Sequence, residues 1–334
     1  MSLLSIENLH ATFHTGVGSV KAVRGISLHM DNRESIGIVG ESGSGKSVSM
    51  LAMMGLVAGN CQVTADKIVF DGRDLTHADR KTMRRILGKD IAMVFQDPMT
   101  CLNPLYTIGN QLIEPIKLHL KLSPKAARAR AVEMLKLVEI PDAEKRMKQY
   151  PHEFSGGMRQ RAMIAMALSC NPKLLVCDEP TTALDVTIQA QILDLLKSLQ
   201  EKTGISVIMI THDLGVITNM CARILVMYGG QVVEEGTTRE IFYKTGHPYT
   251  LGLLRSLPRI DADEHEKLTP IPGTPPDMLR PPAGCPFAAR CPYAMQACVE
   301  IVPACARLSQ THRSACHLWH PAIPLRLREE VFHA

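Results

Sequence analysis

The sequence predicts an α/β protein with a parallel sheet at its centre. Three observations carry that prediction. Short apolar runs, Ser35 to Val39, Ile91 to Phe95, Lys173 to Cys177 and Ile205 to Ile210, have the texture of strands buried on both faces. Helical stretches separate most of them, as crossover connections between parallel strands require. Gly40-Glu41-Ser42-Gly43-Ser44-Gly45-Lys46-Ser47 reads G-x-x-x-x-G-K-S, directly after a strand and directly before a helix. That is the context a phosphate-binding loop needs.

Taken in order, Leu3 to Phe13 alternates apolar and polar residues and reads as a strand. Thr15 to Ser19 is a hairpin loop, and Val20 to Met30 is the returning strand. After the glycine loop, Val48 to Met54 continues as a helix, and Lys67 to Phe70 with Asp71-Gly72 makes another strand and turn. These early strands form a β-rich layer. From Pro98 to about Tyr150 the period becomes helical, with Ile108, Leu112 and Ile116 on one face. Ser123-Pro124 is a start signal for a helix over Ala126 to Val138. Ser155 to Ser169 and Thr187 to Lys202 are further helices. Ile224 to Tyr228 and Gln231 to Glu235 flank Gly229-Gly230 as a hairpin. Beyond Tyr249, prolines at 258, 272, 275, 276, 281, 282 and 286 break any long element, so the C-terminal stretch is an extension without a large core of its own.

With 334 residues, 46% hydrophobic and 21% charged, the chain has the composition of an ordinary folded protein. A net charge of +4, one Trp and seven Phe give neither a long basic block nor stacking platforms, so no nucleic-acid partner is expected. The start, Met1 to Glu7, lacks a basic segment followed by an apolar one and is no secretory signal. The longest apolar run, Met50 to Gly59, is too short for a bilayer. Cys61, Cys101, Cys170, Cys177 and Cys221 are scattered and expected to be small buried hydrophobes. Cys285, Cys291, Cys298, Cys305 and Cys316 crowd the end, which in a reducing compartment suggests metal more than disulfides.

The chemistry expected of the loop is direct. Glycines let the backbone N–H groups curl around phosphate oxygens, and the helix behind adds the positive end of its dipole. Lys46 supplies charge to the β- and γ-phosphates, and the Ser47 hydroxyl is suited to Mg²⁺. The strand Leu174 to Cys177 delivers Asp178 to the Mg²⁺ shell, and Glu179 can take a proton from an attacking water. Ser155-Gly156-Gly157 at a helix start is a second anion site.

Read together, the loop, Gln96, Ser155-Gly156-Gly157-Met158-Arg159-Gln160, Asp178-Glu179, Ala183-Leu184-Asp185 and Thr211-His212-Asp213 resemble the ATPase subunit of an ATP-binding cassette (ABC) transporter over nearly the whole chain. The resemblance implies a phosphate-loop NTPase cassette with a parallel-sheet core, an antiparallel β layer and a helical subdomain. It places the nucleotide-binding domain at 1–250, with the helical subdomain at about 97–165 and the extension at 251–334. ATP would be bound by Phe13, Gly40, Ser42, Gly43, Ser44, Gly45, Lys46, Ser47 and Val48, with Phe13 stacking on adenine. A core strand residue is the other reading of Phe13. Ser47, Gln96 and Asp178 would serve Mg²⁺, and Glu179 and His212 would be catalytic. Ser155, Gly156, Gly157 and Met158 would meet the ATP of a partner subunit, and Asp185 would lie at the subunit interface. Phe154 and Met158 depart from the Leu and Gln commonest in the family.

A narrower resemblance rests on the loop, Phe95-Gln96-Asp97-Pro98-Met99, Leu102-Asn103-Pro104, Tyr150-Pro151-His152-Glu153-Phe154 and His247-Pro248-Tyr249-Thr250. These look like the oligopeptide/dipeptide/nickel importer branch. It implies two membrane permeases, a second homologous ATPase subunit, an external binding protein and a peripheral place at the cytoplasmic face of the inner membrane. The cargo alternatives are nickel, glutathione, an antimicrobial peptide or a sugar, and a non-transport ATPase is the rival class. In that branch Cys285, Cys291, Cys298 and Cys316 resemble the ligands of a [4Fe–4S] cluster. Four thiolates also suit Zn²⁺, and free thiols are the third reading. Cys305 has no assignment, and His312 and His317 read as surface residues.

Overall fold

The computed structural model describes residues 2–182, 184–257 and 270–332. They form two compact units, one of residues 31–35 and 77–210 and the other of residues 2–30, 36–76 and 211 onward.

The second of these begins with an antiparallel layer. β1 (Ser2–Thr15) lies between β2 (Gly18–Asp31) and β5 (Lys67–Phe70), β4 (Cys61–Thr64) also pairs with β1, and β6 (Arg73–Asp74) follows on β5. The alternation in β1 sorts its faces, burying Leu4, Ile6, Leu9 and Ala11. β3 (Ser35–Val39) is buried at all five positions, as its apolar run requires. It leads into α1 (Lys46–Met53) and pairs in parallel with β10 (Arg223–Tyr228). β10 turns at Gly229-Gly230 into antiparallel β11 (Gln231–Thr237). Short helices α9 (Leu214–Thr218), α10 (Thr238–Tyr243) and α11 (Pro248–Arg255) follow in the same unit.

The C-terminal stretch over residues 270–332 is tied in by backbone pairing, polar contacts and buried side chains such as Phe287 and Leu318. It carries α12 (Gln296–Glu300), β12 (Ala306–Arg307), β13 (Arg313–Ser314) and α13 (Leu325–Phe332). β13 adds to the edge of β11, with Glu234 opposite Ser314, and β12 pairs with β13. His312 is a correction to the sequence reading: it is 2% exposed, not at the surface. Its Nε2 donates to Glu234 Oε1 at 2.7 Å, and the same oxygen accepts the Gly246 N–H. The Gly246 carbonyl accepts from Ser314 Oγ at 2.8 Å and Trp319 Nε1 at 2.6 Å. The reason is tertiary: a buried carboxylate on β11 needs a partner, and His312 supplies it. Replacing His312 by Ala leaves Glu234 buried with one partner fewer, and the expected cost is about 2–4 kcal/mol. A thermal melt checks this; an unchanged midpoint contradicts it.

The other unit holds the parallel strands β7 (Ile91–Val94), β8 (Leu174–Asp178) and β9 (Ser206–Thr211), in that order. Its helices are α2 (Arg80–Ile86), α3 (Pro98–Cys101), α4 (Ile108–Leu120), α5 (Pro124–Leu137), α6 (Ala143–Arg146), α7 (Gly156–Leu168) and α8 (Val186–Thr203). Ile108, Leu112 and Ile116 are buried together as their spacing demands. Ser123 caps α5 by accepting the Ala126 N–H. α4, α5 and α7 pack on one another, and α7 also packs against β7. Among the described residues no helix is long and apolar enough to cross a membrane.

Of the scattered cysteines, Cys170, Cys177 and Cys221 are buried as expected. Cys61 is half-buried on a strand and Cys101 is exposed at the end of α3, so for these two the expectation of burial is corrected. A four-residue helix has too little length to bury its last side chain.

Candidate functional site: a phosphate loop and an oriented glutamate

The glycine loop closes as its sequence requires. Gly40 has φ 154°, and a Cβ there would stand 2.1 Å from the Met227 carbonyl oxygen. Gly45, the N-cap of α1, has φ 97°, and its Cβ would meet the Ala22 carbonyl at 2.5 Å. No L side chain fits at either place. Lys46 is 5% exposed, and its Nζ donates to the carbonyls of Gly40 at 2.8 Å and Glu41 at 2.9 Å. The ammonium is thus held inside the curl of the loop, where a phosphate would meet it. Ser44 is 3% exposed, and its hydroxyl is buried with no hydrogen-bond partner. A buried hydroxyl without a partner is costly, and a bound anion removes that cost. Ser42 and Gly43 are exposed at the tip, and Ser47 and Val48 are half-buried in the first turn of α1. In the same unit Phe13 is half-buried on β1 opposite Cys61, and His212 is exposed just after β9.

In the other unit β8 ends at Asp178, which is 8% exposed. Glu179 follows with φ 46°, a left-handed conformation that costs a non-glycine residue energy and turns its side chain out of the strand direction. Gln96 Nε2 donates to Glu179 Oε2 at 3.0 Å, and Thr182 Oγ1 donates to the same oxygen at 2.9 Å. The Glu179 N–H is bonded to the Ile210 carbonyl at 2.8 Å. A carboxylate oriented by two donors is suited to hold or deprotonate a water. The sequence analysis assigns Gln96 to Mg²⁺ and Glu179 to catalysis and does not mark Thr182. No spacing rule marks a threonine three residues after the acid.

Ser155 caps α7 by accepting the Met158 N–H, so the hydroxyl and the first-turn N–H groups of Gly156 and Gly157 share one helix end. Gly157 has a second reason to be glycine: a Cβ would lie 2.8 Å from Ile188 Cγ2 on α8. Asp185 caps α8 by accepting the Ile188 N–H at 3.0 Å. That is a local structural duty that the sequence reading did not foresee. Ala183, in the same motif, lies outside the described residues.

Cys285, Cys291, Cys298 and Cys316 line one cavity, with Phe287, Leu318, Pro248, His247 and His317. Cys305 is not among them and is exposed. Burial pushes the thiols of Cys285 and Cys291 up to about 11 and that of Cys316 up to about 12. Thiols in such an apolar wall stay protonated unless a cation joins them. Among the described residues no group of three or more His, Cys, Asp or Glu side chains stands ready to hold a single metal ion.

A family model described as "ABC transporter" matches residues 23–182, and one described as "Oligopeptide/dipeptide transporter, C-terminal region" matches residues 233–298. The chain is 55% identical to the dipeptide transport ATP-binding protein DppD of Bacillus subtilis, over 95% of this chain and 94% of that one. It is 53% identical to the oligopeptide transport ATP-binding protein OppD of the same organism, over 96% and 90%. It is 50% identical to OppD of Escherichia coli, over 90% and 89%. Among solved structures, a dimeric post-hydrolysis state of the ATP-binding cassette MJ0796 bound to ADP and Pi matches with a TM-score of 0.63 and 29% identity. It covers 71% of this chain and 99% of that one.

Proposed function

The chain belongs to the ABC transporter ATPases, in their oligopeptide and dipeptide branch, and from that premise we propose that it hydrolyses ATP to drive peptide import through a membrane permease. The observation that carries the reading is the closed phosphate loop with the Lys46 ammonium held at its carbonyls; the glutamate oriented by Gln96 and Thr182 supports it independently. The loop N–H groups and Lys46 hold the β- and γ-phosphates. Phe13 stacks on adenine, and Ser42, Gly43, Ser44 and Val48 line the nucleotide. Mg²⁺, when bound, neutralises developing charge on the phosphates; Ser47, Asp178 and Gln96 are suited to hold it, being hydroxyl, carboxylate and amide oxygens. Glu179 takes the proton of the attacking water, and His212 steadies the γ-phosphate.

The working unit is a pair of ATPase subunits, this chain with a second homologous one. Ser155, Gly156, Gly157 and Met158 serve the ATP held by the partner's loop, and Asp185 lies at that interface. Two permeases accept the motion. Met99, Leu105 and Tyr106, exposed in the stretch that follows Gln96 in the chain, supply the apolar contact such docking needs. The subunit sits at the cytoplasmic face of the membrane, and an external binding protein brings the peptide. The test is ATP hydrolysis by the assembled transporter. It should rise when binding protein loaded with peptide is added; a rate indifferent to peptide would contradict the reading.

Cys285, Cys291, Cys298 and Cys316 are suited to a [4Fe–4S] cluster. Their donor set is all sulfur, and they line one apolar cavity. Tetrahedral zinc would draw four sulfurs to about 3.8 Å from one another, given a Zn–S bond of about 2.3 Å. Anaerobically purified protein should carry about four irons with matching sulfide, and Cys298→Ser should lose most of both. Stoichiometric zinc in the wild type would contradict this.

A further inference from the structure

Glu41 is an oddity of the phosphate loop. It is a carboxylate one residue past Gly40, inside a loop built to receive a polyanion, and like charges repel. The structure deals with it from far along the chain. Arg290, in the C-terminal extension, grips Glu41 with both ends of its fork: Nη1 to Oε2 at 2.6 Å and Nη2 to Oε1 at 3.0 Å. Its other donors are spent as well. Nη1 also reaches Tyr228 Oη at 3.1 Å, Nη2 the Ile271 carbonyl at 3.1 Å, and Nε the Pro272 carbonyl at 2.9 Å. All five N–H groups of the guanidinium therefore have partners, and its side chain is 5% exposed. The guanidinium also lies over the Tyr228 ring, 5.7 Å from its centroid. The backbone of Glu41 is fixed too. Its N–H donates to Tyr249 Oη at 2.8 Å, and its carbonyl accepts from Lys46 Nζ. Tyr228, Tyr249 and Phe287 pack edge and face around one another, with centroids 4.5–5.3 Å apart.

We propose that Arg290 is a positioning residue of the phosphate loop, through which the C-terminal extension sets how tightly the subunit holds ATP. The inference rests on the ATPase reading above. Two effects act together. The fork neutralises Glu41, so the loop presents Lys46 and its N–H groups without an opposing charge. The five-point grip also fixes where Glu41 begins the curl, so less order has to be imposed when phosphate binds. Lysine cannot reproduce this, because it has a point charge and no planar fork.

The test is equilibrium binding of a fluorescent Mg·ATP analogue to the full-length subunit, with ATPase kinetics of the assembled transporter alongside. Arg290→Ala should weaken binding about tenfold and more steeply at low salt, with the loss falling on KM rather than kcat. Arg290→Lys should fall between the two. The double change Arg290→Ala with Glu41→Gln should recover most of the affinity, since the opposing charge has gone. A merely structural role would give no such rescue. If Arg290→Ala does not fold, Arg290→Gln carries the same comparison. Wild-type affinity in the single variant, or equal loss in the single and the double, would overturn the proposal. Lys46→Ala separates the two levels. If it too binds ATP normally, the nucleotide site itself is misassigned; if it fails to bind while Arg290→Ala binds fully, only the role of Arg290 is lost.

Discussion

Replacing Glu179 by Gln should reduce ATP hydrolysis by the assembled transporter by about 10²-fold or more, while ATP still binds. The amide keeps the shape of the side chain and can still accept from Gln96 Nε2 and Thr182 Oγ1, which now meet at Glu179 Oε2. It has no charge and cannot take a proton. The loss should therefore fall on kcat, because the group acts only once water attacks. The strained backbone at Glu179, φ 46°, should survive the change, since the two side chains are isosteric. Thr182→Val, which removes one of the two donors, should lower kcat by a smaller factor and leave binding alone. Hydrolysis equal to wild type in the Gln variant would remove Glu179 from the reaction.

Lys46→Ala acts one stage earlier. The lysine is 5% exposed and bonded to the carbonyls of Gly40 and Glu41, so its charge is already where phosphate must arrive. A buried ammonium beside a polyphosphate is worth far more than a surface charge, because water screens it little. Its loss should weaken Mg·ATP binding by about 10²-fold. The truncation also takes a donor from the Gly40 and Glu41 carbonyls, the second of which keeps the Ser44 N–H, so the loop itself should loosen. Retained binding would mean that the loop is only a glycine-rich turn.

Much of this was legible in the sequence because it is local. The buried strands, the loop and the helix caps depend on neighbours within a few positions: Ser35 to Val39 is a buried strand, a tight glycine loop leads from it into a helix, and Ser123 and Ser155 start helices. The family motifs also pointed to Gln96 and Glu179, although only the structure brings the two side chains within a hydrogen bond. What escaped is what depends on distant chain. His312 reads as a surface histidine until β13 lays it against Glu234, 78 positions earlier. Arg290 reads as one more charge in a proline-rich tail until it closes on Glu41, 249 positions away. Asp185 shows a third kind of gap: its capping bond to Ile188 is local and could have been read from its place before a helix, but the family motif drew attention to an interface instead. No periodicity marks the first two partners, since a salt bridge or a buried pair needs only one residue from each side.

Uptake of a labelled tetrapeptide by intact cells tests the central claim most directly, with wild type compared against Lys46→Ala in a background without other peptide importers. Uptake should collapse in the variant while the protein level holds. Uptake that continues at the wild-type rate would contradict the account, since the ATP held by this loop would then be powering something other than peptide import.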